Sequence, residues 1–240
     1  RRRNDWSFRL MKEAGQSNTA CFMTLTYEEA PSSFNGHMTL KRQHLTAFFK
    51  KLRHYSYDKI KYYAVGEYGT NFLRPHYHII LFNAPRALLQ KPAKIEAQIW
   101  KHGHVDVAPC NIRTIMYVAS YLMQSNFEPE RDDDDRQPPF ATMSKNLGLN
   151  YITPAIVRYH VENMVNIVTL PGGQIQQLPR YYKKKIFSKI ERNQLAKEAK
   201  EIKNMNWEQF MNHDFQKEIN EKKNLVRRFN KQQRLKAKKL

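Results

Sequence analysis

Two histidines one residue apart, His76 and His78 in RPHYHIILF, are the first residues of this chain whose types and spacing suggest chemistry. In a strand, side chains two apart share a face, so both imidazoles project together and can grip one small object. Two imidazoles seldom hold a divalent ion alone. A third ligand is needed, a carboxylate if the ion is Mg²⁺ or Mn²⁺. Glu67 in VGEYG ends the preceding apolar run, and the link to RPHYH is short enough to set it beside His76 or His78. Taken singly, Glu67 reads as an exposed turn residue and each histidine as a hydrogen-bonded core residue. Their coincidence points to a metal.

Tyr117 and Tyr121, in NIRTIMYVASYLMQS, are four residues apart and so share one helical face. Ile115, Val118, Ala119 and Leu122 cluster on the opposite face, so the tyrosines stand off the apolar stripe of their own helix. Two readings fit: an amphipathic pair at a wet boundary, or phenols aimed at a phosphodiester. A phenol with a pKa of about 10 is a poor nucleophile at neutral pH. An adjacent cation that stabilises phenolate and polarises phosphate is what the second reading requires.

The elements that must position these groups follow from periodicity. Residues 4–14 read as a short amphipathic helix opened by Asn4, and CFMTLTY, 21–27, as a half-buried strand. Phe22, Thr24 and Thr26 share one of its faces, and the two threonines could line a groove for DNA or form a plain polar sheet face. Residues 39–55 have Leu45, Phe48, Leu52 and Tyr55 at helical spacing, with Lys50, Lys51 and Arg53 on the surface. KIKYYAVGEYG is a second strand, and RPHYHIILF a third, apolar on both faces beyond His78 and hence central. Residues 92–101 form a helix with Pro92 in its first turn, HVDVA a fourth strand, and Asn111 caps a helix running to about Ser125. Strand–helix–strand–strand–helix–strand–helix predicts an α+β fold, a mostly antiparallel sheet with helices packed on it.

Three further stretches read more plainly. Residues 128–139 read as a polar loop, with Asp132 to Asp135 solvated, and His102 and His104 as surface turn residues. Tyr68, Phe72 and Tyr77 could stack bases, with core packing the duller fate of Tyr77. Residues 181–240 contain no Gly or Pro and hold 18 Lys and Arg against 7 Asp and Glu, a basic helical segment of charge +11.

Over the whole chain of 240 residues, 41 Lys and Arg face 22 Asp and Glu, for a net charge of +19. So large an excess calls for an anionic partner, of which nucleic acid is the commonest. Arg74, Lys50 and the lysines at 183–185 would follow a phosphate backbone, with strongly salt-dependent affinity. No apolar run approaches the roughly 20 residues of a membrane span, and no signal peptide is visible. Cys21 and Cys110, the only cysteines, suit a reducing interior. The chain opens on RRRNDWSF without Met and is read as a trimmed piece.

FMTLTY, AFFKKLRHY, VGEYG, RPHYHIILF, YVASY, FATMSKNLG and LPRYY occur in that order from residue 22 to 182. Together they resemble the HUH endonucleases that initiate rolling-circle replication, and most closely the replication initiators of microviruses of the gokushovirus type. RPHYH with FMTLTY and YVASY is the specific combination.

The resemblance implies an HUH fold over residues 1–180, a central antiparallel sheet flanked by helices, with 181–240 as a basic helical C-terminal segment. It implies Mg²⁺ or Mn²⁺ held by His76, His78 and Glu67. One tyrosine of the pair Tyr117 and Tyr121 would cleave single-stranded DNA at the origin, keeping the 5′ phosphate as phosphotyrosine and freeing a 3′ hydroxyl. The host replication machinery in the bacterial cytoplasm would extend that hydroxyl, and the second tyrosine would take over after one round. Relatives usually carry Lys or Arg three residues after each tyrosine, where this chain has Ser120 and Gln124; Lys145, Arg113 and Lys101 are the candidates to replace that cation. Relatives also have a short cysteine-bearing stretch just before the segment matching RRRNDWSF. The same residues admit two other roles, a non-catalytic origin or single-strand binder and a relaxase or transposase of the same chemistry.

Overall fold

A computed structural model describes residues 2–70, 72–121, 132–170 and 173–204, together with 220, 221, 223, 224 and 227. The chain divides into two compact units, Arg1–Asn150 and Tyr151–Leu240. The first is built from α1 (Arg2–Ala14), β1 (Ala20–Thr26), α2 (Arg42–Arg53), β2 (Lys61–Tyr68), β3 (Pro75–Phe82), α3 (Arg86–Leu89), α4 (Pro92–Ile95), β4 (Val105–Pro109), α5 (Ile112–Ser120) and β5 (Phe140–Met143). The strands form one antiparallel sheet in the order β4-β1-β3-β2-β5. The fold is therefore α+β, as the element order predicts, and β3 lies at its centre because its residues beyond His78 are apolar on both faces.

Period-two alternation sorts the side chains between two layers. Met23, Leu25, Tyr77, Ile79 and Leu81 face α2, whose Leu45, Phe48, Phe49 and Leu52 recur at helical spacing and close the larger core together with Ile99 and Trp100. Tyr63, Val65, Ile80 and Phe82 point the other way, onto Leu10 of α1 and Ile115 and Val118 of α5. Complete burial of each such side chain is worth about 1.5–3 kcal/mol, so the two layers fix which face each helix must cover. A buried ion pair adds direction. Lys61 Nζ of β2 donates to Glu13 Oε1 of α1 at 2.6 Å, and the same carboxylate accepts from the Gly148 amide at 2.8 Å.

Several elements depart from the sequence reading. Arg2 and Arg3 are already helical, so Asn4 sits inside α1 and does not cap it. The predicted helix over 92–101 is a single α-turn, α4, running into a π-helical turn, Glu96–Trp100, which Lys101 closes at φ 60°. β5, which the sequence reading left without an element, pairs with β2 along Tyr63–Gly66. α5 ends at Ser120, and the rest of the expected helix, with Leu122 and Gln124, lies outside the described residues. Asp134 binds Arg136 through both carboxylate oxygens, at 2.8 and 2.6 Å, so that part of the acidic run is structural rather than solvated.

The second unit contains α6 (Pro154–Glu162), the hairpin β6 (Ile167–Thr169) and β7 (Ile175–Gln177), and the helices α7 (Arg180–Ile186) and α8 (Lys189–Asn204). Thr153 caps α6, its hydroxyl accepting from the Ile156 amide at 3.2 Å. His160 is buried between the Tyr151 hydroxyl and the Val165 carbonyl. No helix among the described residues is long and apolar enough to cross a membrane.

Candidate functional site

The site grows from the β2–β3 hairpin. The link between these strands turns within positions 69–74, with the Gly69 amide donating to Arg74 O at 3.0 Å and the Leu73 amide to Gly69 O at 2.9 Å. That turn sets Glu67 directly opposite His76. Directly opposed residues of an antiparallel pair share a face, and His78, two along, joins them. β1 completes the face from the other side, with Thr26 opposite His76 and Thr24 opposite His78.

The side chains converge. His76 Nε2 and His78 Nε2 lie 2.8 and 3.0 Å from the same oxygen, Glu67 Oε1. The three potential ligand atoms lie within 4.8 Å of one another. Three ligands about 2.0–2.2 Å from a common ion spread over nearly that distance, so a small adjustment would enclose one. The outer nitrogens are also arranged for it. His76 Nδ1 meets the Arg74 carbonyl at 3.1 Å, an acceptor, which holds the proton on Nδ1 and leaves Nε2 as the ligand. His78 Nδ1 meets Thr24 Oγ1 at 3.1 Å. The donor set of one carboxylate and two imidazoles fits a divalent cation.

Without an ion the cluster is an ion pair. Burial pushes the Glu67 carboxyl up, but hydrogen bonds from His76 and His78 outweigh it and hold the carboxyl below its ordinary value of 4.5. Burial likewise depresses His76, yet the bonds to Glu67 and to the Arg74 carbonyl raise it above 6.5.

α5 brings in the tyrosines. Asn111 caps the helix reciprocally with Thr114. Asn111 Oδ1 accepts from the Arg113 and Thr114 amides at 2.9 and 3.0 Å, and Thr114 Oγ1 accepts from the Asn111 amide at 2.9 Å. Ile115, Val118 and Ala119 go into the core, which turns Tyr117 and Tyr121 onto the histidine face. The Tyr117 hydroxyl lies 3.3 Å from His78 Nε2, and the Tyr121 hydroxyl donates to it at 2.5 Å. Tyr121 also stacks on the His78 ring at 5.7 Å. Burial, the Tyr117 bond and the Glu67 charge push its phenol far above the ordinary range, so Tyr121 keeps its proton and remains a donor.

The expected DNA-contacting residues divide. Thr24 and Thr26 lie on the site face. Arg74 lies beside it, its guanidinium donating to the Tyr27 and Glu28 carbonyls and bracing the end of β1 against the β2–β3 link. Lys50 is exposed on α2, which covers the opposite face of the sheet. Lys145 follows β5 at the Lys61 end of β2, away from Glu67. Of the residues considered as replacement cations, Lys101 lines a separate cavity with Glu28 and His104, whereas Arg113 sits one helical turn before Tyr117 on the same face. Ser120 turns back, its hydroxyl donating to Tyr117 O at 2.6 Å.

Sequence reasoning passed over Phe22, whose ring stacks on His78 at 5.4 Å and meets Tyr117 edge-on at 6.2 Å. Its place on the same strand face as Thr24 was the available signal. Asp106 of β4, in register with Thr24, likewise extends the face to the sheet edge.

Residues 20–126 match a family of phage replication-associated proteins, the one described by its member ORF2. The chain is 30% identical over 182 residues to the replication-associated protein ORF2 of Spiroplasma virus 4, covering 69% of this chain and 57% of that protein. It is 26% identical over 208 residues to the replication-associated protein ORF4 of Chlamydia phage 1, covering 76% of this chain and 50% of the relative. With the replication-associated protein VP4 of Bdellovibrio phage phiMH2K it shares 27% identity over 136 residues, 51% of this chain and 42% of the relative. The chain thus spans about half the length of the curated relatives it matches. No solved structure matches it. The sheet and its flanking helices are consistent with an HUH-like fold, and the matched segment holds β1 to β4, α5 and every residue of the His–Glu–Tyr cluster: residues 20–126 belong to the replication-associated protein ORF2 family.

Proposed function

We propose that this protein nicks single-stranded DNA at a phage replication origin through a tyrosine nucleophile and rejoins it, driving rolling-circle replication. The observation that carries the reading is the Tyr117 hydroxyl 3.3 Å from His78 Nε2, beside a carboxylate and a second imidazole that share one candidate ion position. Glu67, His76 and His78 would hold Mg²⁺ or Mn²⁺, which supplies a Lewis acid that polarises the phosphodiester.

The chain's own groups do the rest. Tyr117 Oη attacks phosphorus as its proton leaves to water. The P–O bond to Tyr117 forms, the P–O3′ bond breaks, and the departing 3′ oxygen takes up a proton. The 5′ phosphate stays on the tyrosine, and the free 3′ hydroxyl is available to the host replication machinery in the bacterial cytoplasm. Tyr121 donates its hydrogen bond to the attacking oxygen, and after one round it serves as the second nucleophile. The 3′ hydroxyl then attacks the phosphotyrosine, reversing the first exchange and sealing the strand. Arg113, one turn before Tyr117, steers the scissile phosphate in place of the basic residue that Ser120 replaces. Residues 1–180 form the nicking domain in this proposal, and 181–240 contribute basic surface.

A second reading, a single-strand binder without cleavage, draws on Ser120, which bonds to its own helix and offers no charge. The two separate on a denaturing gel. A labelled origin strand incubated with the protein and Mn²⁺ is expected to give a covalently shifted band. His76→Ala with His78→Ala should remove that band while leaving binding in place. Salt-sensitive binding with no covalent band in the wild type would support the binder.

A further inference from the structure

The end of the sheet opposite the histidines carries a cavity of about 1050 Å³ that the nicking reaction leaves unused. It lies about 20 Å from the metal-binding residues, since six residues of β2 at about 3.3 Å each separate Lys61 on its wall from Glu67. Four cations, Arg53, Lys59, Lys61 and Lys145, share the wall with a single carboxylate, Asp58. Lys61 is matched by Glu13 at 2.6 Å, and Asp58 accepts from Asn18 Nδ2 at 2.9 Å. Arg53, Lys59 and Lys145 are exposed and make no side-chain ion pair or hydrogen bond among the described residues. Arg53 complements the C-terminal end of α2. That explanation does not extend to Lys59 or Lys145, which lie outside any helix.

Tyr57 makes the cavity more than a charged recess. It stands fully exposed at the rim. Its neighbour Tyr62 is already committed, stacked on Phe49 at 3.6 Å and 12°. Unmatched cations around an aromatic ring with both faces free are what a single strand meets in a non-specific groove, phosphates on the cations and an unstacked base on the ring. A duplex keeps its bases stacked inside and offers such a ring nothing.

We propose that this cavity is a second binding site for single-stranded DNA, away from the point of cleavage, with phosphates on Arg53, Lys59 and Lys145 and a base on Tyr57. It rests on the reading that the protein handles single-stranded DNA, and adds where the strand runs beyond the nicked phosphate.

Fluorescence anisotropy with the full chain tests it, using a labelled single strand and a labelled duplex of about 30 nucleotides, long enough to reach both sites. Arg53→Ala with Lys59→Ala is expected to weaken single-strand binding and to make the plot of log affinity against log salt shallower by about 1.4, at about 0.7 for each phosphate left without its cation. Tyr57→Ala should weaken single-strand binding roughly tenfold, in the range for one stacked base. A control pair on exposed cations elsewhere, Arg86→Ala with Lys91→Ala, should leave the slope where it was. All these side chains are exposed, and circular dichroism with a melting curve verifies each fold. An unchanged slope in the cavity pair, an equal change in the control pair, or an equal loss on duplex would overturn the proposal. Single-strand binding by the wild type with an unaltered cavity pair sinks this inference alone; no single-strand binding by the wild type sinks the reading it rests on as well.

Discussion

Tyr117 and Tyr121 differ in what their oxygens touch, and that difference assigns them unequal roles. Tyr117 lies against His78 Nε2, whereas Tyr121 donates to Tyr117 and, with its phenol pushed far upward, stays protonated. Tyr117→Phe is therefore expected to abolish the covalent adduct in a single round. Tyr121→Phe, which removes a donor worth about 0.5–1.5 kcal/mol, should slow that round by about three- to tenfold and block only the second. Gel quantification of first- and second-round adducts checks both. The Glu67–His76 pair carries a pH signature. His76, raised above 6.5, stabilises the metal-free fold fully below that value and loses the contribution as pH climbs through its raised pKa. Glu67, lowered below 4.5, stabilises it above that value and loses the contribution as pH falls through its lowered pKa. A metal must displace the His76 proton, so the melting-temperature increase given by Mn²⁺ should grow as pH rises through the His76 pKa. An increase that is flat across neutral pH would contradict the ligand assignment.

Two elements hold the site in register, and each makes its own prediction. The capping box of α5 turns the tyrosines toward the histidines, so Asn111→Ala should lower stability by about 1 kcal/mol in denaturant unfolding and lower adduct formation with it. Gly103, with φ +140°, is the second: a Cβ there would fall inside the backbone of Thr26 and Glu28. Gly103→Ala is expected to cost about 2 kcal/mol or more and to weaken metal binding, because Thr26 is the cross-strand partner of His76. The site was largely legible at this scale. An i, i+2 histidine pair, a carboxylate across a short link and an i, i+4 tyrosine pair are geometric statements that periodicity carries directly, and Asn111 announced its own helix. The parts that escaped depend on packing. Lys50 and Lys145 are ordinary surface cations until one knows which sheet face α2 covers and where β5 joins. Arg74 looked free because its partners, the Tyr27 and Glu28 carbonyls, are backbone groups some 46 residues away. The π turn after α4 shares its apolar pattern with a plain helix, and β5, β6 and β7, of four, three and three residues, are too short to show a period.

At the scale of the molecule, the excess of charge and the neutral character of the site serve different steps. The net charge of +19 favours any nucleic acid, whereas the His–Glu–Tyr cluster is compact and specific. Affinity for a single strand should therefore fall at least tenfold between about 50 and 200 mM salt, while the cleavage rate of already bound strand changes little. Filter binding and single-turnover kinetics on one set of samples separate the two. The account as a whole depends on a phenol attacking phosphorus beside a bound cation. Mass spectrometry of the protein after reaction with an origin strand and Mn²⁺ tests this most directly. The account predicts a nucleotide mass attached through phosphate to Tyr117, or to Tyr121 after a second round, and to neither when the ion is chelated; cleaved strand with both tyrosines unmodified, or an adduct on any other residue, would contradict it.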